Sequence, residues 1–270
     1  MPKQPSPDSA RGDAALARAL ALVRDLRARC PWDHAQTRET LRPYLVEEAL
    51  ELDQALKDGE PAELRDELGD LLLHLAFQIV IGEERRELDA ETVTRALEKK
   101  MWRRHPKLFG DSEAPDHEGW ERVKKRERGA GSGTLRGLPP SLPPLLMASR
   151  LQERAAGVGF DWPDATGPME KVKEEIAELL RETLKDSLTV AGKGKRERLE
   201  DEVGDLLFAV VNLARKLAID PRAALERANE KFTRRFEAVE QLAAERGVDV
   251  GRASLEELDR LWNEVKAQSL

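Results

Sequence analysis

The chain has 270 residues, room for two ordinary domains, and its 52 acidic against 45 basic residues give a formal net charge of −7. An acidic balance argues against a general binder of nucleic acid or anionic membrane, while 40% hydrophobic residues suffice for a folded core. No apolar run approaches the roughly 20 residues of a membrane span, residues 1–13 lack the apolar stretch of a signal peptide, and the lone Cys30 makes neither an internal disulfide nor a cysteine zinc site. The expectation is a soluble, cytoplasmic protein.

Abundant Ala, Leu, Glu and Arg, with few aromatic residues, favour helix over sheet. Residues 1–13 read as a disordered tail. Helical periodicity runs over 14–29 and stops at Cys30-Pro31. Helices follow over 44–57 and 61–84, split by Asp58-Gly59, then over 89–104, with a short one around Trp120 in the charged segment 111–128. The stretch 129–144, GAGSGTLRGLPPSLPP, reads as a linker between an N-terminal domain, 14–128, and a C-terminal domain, 145–270. Helices resume over 147–156, 168–186, 195–218, 221–244 and 254–268. Asp220-Pro221 supplies an N-cap with proline at the first helical position, and Ser254 with Glu257 has capping-box spacing. The fold class is all-α.

The two halves repeat. Glu47-Glu48-x-x-Glu51 answers to Glu174-Glu175-x-x-Glu178, and Glu67-x-x-Asp70 to Glu202-x-x-Asp205. Lys100-x-x-Arg103-Arg104 answers to Lys231-x-x-Arg234-Arg235, and Trp120 with Lys124 to Trp262 with Lys266. Four blocks in one order, with drifting spacing between partners, mean a duplicated helical module with loop insertions.

Residues three or four apart on a helix share a face, so each pair of acidic motifs on adjacent antiparallel helices gathers four carboxylates. A lone ExxE in so charged a chain is an ordinary solvated stripe. Here the segments after Asp70 and Asp205 are apolar nearly all round, as in helices inside a bundle, which puts the acids at their N-terminal ends partly out of water. Clustered, desolvated carboxylates repel unless a cation neutralises them. All-oxygen ligands suit Mg²⁺, or Mn²⁺. A di-iron site would need Glu-x-x-His motifs, and none of His34, His74, His105 and His117 has Glu three residues before it. An anionic substrate also needs cations, which Lys231, Arg234, Arg235 and Lys266 offer, and a tryptophan one turn before a lysine suits base stacking beside phosphate binding. A solvated basic face and a core tryptophan are the plainer readings.

Together with CPWD (30–33), GFDW (159–162) and NEKFTRRF (229–236), these motifs resemble the all-α nucleoside triphosphate pyrophosphohydrolases in their tandem form, the MazG family. The resemblance implies duplicated, four-helix-bundle-like modules in an intertwined homodimer that hydrolyses NTPs and dNTPs to monophosphate and pyrophosphate with Mg²⁺. It implies metal ligation by Glu175, Glu178, Glu202 and Asp205, with Glu174 adjoining, and by Glu48, Glu51, Glu67 and Asp70 in the N-terminal half. Lys171, Arg198, Lys231, Arg235, Trp262 and Lys266 fall at its substrate-contact positions. In the register of the repeat, Tyr44 stands opposite Lys171 and Glu63 opposite Arg198, so the C-terminal half is expected to carry the chemistry. The rival from another class is a non-catalytic helical protein whose acidic faces bind a basic partner. A nucleic-acid role for Arg122–Arg128 is disfavoured, because the basic run is interrupted by acids.

Overall fold

The computed structural model describes residues 7–109, 133–185 and 193–268, and every element among them is a helix or a turn. The all-α expectation holds. The chain divides into two compact units, Met1–Ala114 and Pro115–Leu270. The expected helix around Trp120 and the Trp120–Lys124 pair lie outside the described residues.

In the first unit the helices are α1 (Pro7–Arg29), α2 (Pro31–Ala35), α3 (Arg38–Asp58), α4 (Pro61–Glu84), α5 (Ala90–Arg104) and α6 (Pro106–Phe109). Helix α1 starts at Pro7, inside the stretch expected to be a tail, with proline at its first position, where the missing N–H costs no helical hydrogen bond. Helix α3 starts before the expected residue 44, because Thr37 and Thr40 form a reciprocal capping box. Pro43 sits inside its second turn, where the missing N–H deprives only the Glu39 carbonyl. Gly59, at φ +76°, takes the left-handed conformation that ends α3 and reverses the chain into α4. The α3–α4 hairpin packs with α1, burying Val23, Leu41, Ala76, Phe77, Val80 and Ile81. Arg27, itself buried, ties these parts together: it pairs with Glu84 at 2.7 Å and donates to the Asp33 and Gln36 carbonyls at 2.8 and 3.1 Å.

In the second unit α7 (Pro144–Ala156), α8 (Thr166–Lys185), α9 (Lys193–Lys216), α10 (Pro221–Glu245) and α11 (Leu255–Gln268) follow. Helix α9 packs against α8 and α7, while α10 and α11 form a second hairpin around Val239, Ala243, Leu261 and Val265. Asp220 caps α10 by accepting from the Arg222 and Ala223 N–H groups, and the Ser254 hydroxyl accepts from Glu257 N–H. Part of the expected linker is tied down, since Arg154 donates to the carbonyls of Leu135 and Arg136 at 3.2 and 2.7 Å.

The apolar helices α4 and α9 are buried on one face only. On α9, Ala209, Val211 and Asn212 are buried, whereas Val203, Leu207 and Val210 are 43%, 55% and 43% exposed. Met169, Ile176, Leu180 and Leu184 make a matching exposed stripe along α8.

Candidate active site

The α8–α9 hairpin places Glu175 and Glu178 on one helix opposite Glu202 on the next, and one oxygen from each lies within 4.8 Å of the others. Glu175 is 4% exposed, and its Oε2 is buried with no hydrogen-bond partner. Burial, reinforced by the charges of Glu178, Glu175 and Asp205, pushes the Glu202 carboxyl above the ordinary range. Lys171 answers part of this charge: its ammonium lies 2.7 Å from Glu175 and 3.0 Å from Glu174. Those hydrogen bonds hold its pKa above the usual lysine range. A compact set of carboxylate oxygens, one orphaned in the interior, fits a hard divalent cation.

The α3–α4 hairpin repeats the pattern with Glu48, Glu67 and Asp70, whose oxygens also lie within 4.8 Å of one another. Burial first, then neighbouring acids, raises the Glu48 and Glu67 pKa values, and Glu67 Oε2 is buried without a partner. The surroundings differ. Tyr44 takes the position of Lys171 and stacks on His74 with ring centroids 6.3 Å apart, while His74 Nε2 lies 3.6 Å from Glu48. Of each expected quartet, then, three acids converge tightly. Asp205 and Glu51 stand outside the close group, near enough to raise the pKa values of their neighbours.

Beside Glu175, Lys171 and Asp205 a cavity of about 400 Å³ opens among α7, α8, α9 and the segment before α8. Its wall is largely apolar, with Leu151, Ala155 and Ala209 alongside the rings of Phe160, Trp162 and Phe208. The Gly-Phe-Asp-Trp motif shapes its mouth. Gly159, at φ +92°, turns the chain in a conformation that favours glycine. Asp161 is latched by Arg215 and Lys216, which hold its carboxyl below the usual range, Arg215 foremost. Lys216 also donates to the Trp162 carbonyl at 2.6 Å. The Trp162 indole lies over Gly167, where any side chain would overlap it.

The remaining predicted residues fall elsewhere. Arg198 pairs with Glu182 at 3.4 Å. Lys231 lies on α10 in a shallow hollow with Arg227 and Arg234, and Arg235 is half-buried on the same helix. Trp262 packs against the α10–α11 core and the ring of Phe232, centroids 5.4 Å apart, and Lys266 is exposed on α11. The cavity takes no residue from α10 or α11. Conversely, sequence reasoning missed Gln152, Phe208, Asn212 and Arg215, which line it. The available signal was Asn212, a polar residue inside an otherwise apolar run and buried at 7% exposure.

A duplicated all-α module with carboxylates facing one another across a helical hairpin is the architecture of the all-α nucleotide pyrophosphohydrolases. The model of the MazG nucleotide pyrophosphohydrolase domain matches this chain twice, over 36–109 and 166–240, and the chain belongs to that family. It is 42% identical over 238 residues to the nucleoside triphosphate pyrophosphohydrolase/pyrophosphatase MazG of Thermotoga maritima, covering 88% of this chain and 89% of that one. It is 40% identical over 254 residues to the Escherichia coli K12 nucleoside triphosphate pyrophosphohydrolase, covering 92% and 94%. The Mycobacterium tuberculosis protein of the same description is 35% identical over 57% of this chain and 49% of its own. The tandem resemblance read from the motifs is thereby borne out, and the chain is an enzyme of a hydrolase family rather than a non-catalytic scaffold.

Proposed function

We propose that the chain hydrolyses nucleoside triphosphates, deoxynucleotides included, to monophosphate and pyrophosphate with Mg²⁺, at a site in the C-terminal unit, and so cleanses a cytoplasmic nucleotide pool. The observation that carries this reading is the adjacency of Glu175, in the three-carboxylate cluster, to an aromatic-lined cavity of about 400 Å³. Phosphates and a base then have neighbouring places of opposite character. Glu175, Glu178 and Glu202, with Asp205 beside them, would hold the metal, which when bound neutralises phosphate oxygens and polarises phosphorus, as Mg²⁺ or Mn²⁺ does. Lys171, braced by Glu174, presents an ammonium to the phosphates. The carboxylate oxygens orient a water for in-line attack. Lys231 and Arg235, which lie on α10 outside the lining of the cavity, are further candidates for positive charge toward the departing pyrophosphate. Trp262 is accounted for by its core packing, and Arg198 by its pairing with Glu182.

The test is the product set. With Mg²⁺ and ATP or dUTP, the purified chain yields monophosphate and pyrophosphate as primary products. Nucleoside diphosphate with inorganic phosphate would overturn the reading.

The N-terminal carboxylates are proposed to bind metal without substantial turnover. In the repeat register Phe77, Val80 and Ile81, all buried, replace Asn212, Arg215 and Lys216, so apolar core stands where the C-terminal unit has its polar wall.

The exposed stripes of α8 and α9 lie on adjacent helices, and we propose that a second copy of the chain covers them in a homodimer. Light scattering should give twice the 30.3 kDa of one chain, and Leu207→Glu should return the monomer. A wild-type monomer at micromolar concentration contradicts this.

A further inference from the structure

We propose that Gln152 and Asn212 read the hydrogen-bonding edge of the substrate's base, Gln152 as acceptor and Asn212 as donor. This inference rests on the pyrophosphohydrolase reading and adds to it the part of the nucleotide that the C-terminal cavity selects.

Both residues line the cavity, and both are buried, at 6% and 7% exposure. Each has its amide orientation fixed by a protein partner: the Phe208 carbonyl for Gln152 and the Arg215 guanidinium for Asn212. Gln152 donates from Nε2 to the Phe208 carbonyl at 2.8 Å. Flipping that amide would set oxygen against oxygen, so Oε1 is the atom left over, and it is buried with no partner at all. Asn212 is fixed in the opposite sense. Its Oδ1 accepts from Arg215 Nε at 2.9 Å and from Arg215 Nη2 at 2.7 Å, which leaves the amide N–H groups as its remaining donors. The Asp161 carboxylate holds the same guanidinium, so the orientation of Asn212 is set by a charged latch rather than by a free rotor.

A buried acceptor without a partner costs about 1–3 kcal/mol, a cost that a donor reaching it from the cavity would remove. The lining therefore includes one residue with a spare acceptor and one with spare donors among aromatic side chains, next to the three-carboxylate cluster. Nucleobases carry a donor beside an acceptor on one edge, the 6-amino group and N1 of adenine for example. Inorganic polyphosphates carry none, and sugar triphosphates offer only hydroxyls, with no flat ring to stack among the aromatic side chains. The chemistry selected is a triphosphate with such a base. The N-terminal unit lacks the Asn212 reader and its latch, since Phe77 stands opposite Asn212 and Val80 opposite Arg215.

The test uses the full chain with Mg²⁺ and measures pyrophosphate release from ATP, from purine riboside triphosphate, which lacks the 6-amino donor, and from ribose 5-triphosphate, which lacks a base. Wild-type protein should prefer ATP to purine riboside triphosphate by roughly tenfold in kcat/KM. Gln152→Met should lose roughly that factor on ATP through KM, erase the preference, and leave ribose 5-triphosphate unchanged. Asn212→Asp, which keeps the size and removes the donors, should weaken ATP and spare the baseless substrate likewise. Equal losses on ATP and ribose 5-triphosphate, or a wild type indifferent to the 6-amino group, overturn the assignment. Should Gln152→Met fail to fold, Asn212→Asp decides the matter alone. Absence of pyrophosphate from all three substrates is a different failure, that of the pyrophosphohydrolase reading itself.

Discussion

Replacing Glu175 and Glu202 together by alanine is expected to lower kcat/KM for triphosphate hydrolysis by about 10³-fold or more, whereas Glu48→Ala with Glu67→Ala leaves it within about threefold. The two pairs are equivalent in the repeat, and each removes two of three converging carboxylates. What separates them is the surroundings. The C-terminal cluster has Lys171 at 2.7 Å and the cavity beside it, while the N-terminal cluster has Tyr44 stacked on His74. Each variant is assayed after circular dichroism and light scattering show it folded and of wild-type size. Abolished turnover in the N-terminal pair, with the C-terminal pair unaffected, would reverse the assignment of the active unit.

Metal removal should have the next largest effect. Stripped of divalent ions, the protein keeps two groups of mutually repelling carboxylates, with Glu48, Glu67 and Glu202 each raised in pKa by burial and acidic neighbours. An ion that binds only the folded state stabilises it by about 2.7 kcal/mol at one hundred times its Kd. For units of this size that moves Tm by roughly 5 °C or more. Calorimetry of chelated protein with and without Mg²⁺ should show this rise, and Glu175→Ala with Glu202→Ala should lose the share belonging to the C-terminal unit. Identical melting curves with and without Mg²⁺ would remove the metal from the account of the acidic clusters.

Much of this architecture is legible in the sequence. Helix α4 spans the expected 61–84, bounded by Pro61 and the end of its apolar run. The repeat located Glu175, Glu178 and Glu202 because carboxylates three apart on facing helices must converge wherever those helices pair. Caps made by neighbours in sequence were harder to weigh against a breaker: Pro43 hid the start of α3 although Thr37 and Thr40 marked it. The cavity was illegible for another reason. Gln152 and Asn212 come from α7 and α9, and Phe160 and Trp162 from the segment between α7 and α8. Their meeting depends on tertiary packing that no local period encodes. Trp262 shows the converse, a residue conspicuous in the pattern whose ring serves the α10–α11 core.

The substitution of Phe77, Val80 and Ile81 for Asn212, Arg215 and Lys216 reaches beyond recognition. In α4 that face closes a continuous apolar core with Val23 and Leu41, and such a core keeps its cohesion whatever is in solution. In α9 the same face holds a charged latch and a hollow, so on the proposed reading its order would depend on what fills the hollow. Duplication has therefore given one polypeptide two rigidities. On the proposed reading, one copy keeps this face closed without a nucleotide, and the other would become fully ordered there only with its nucleotide bound.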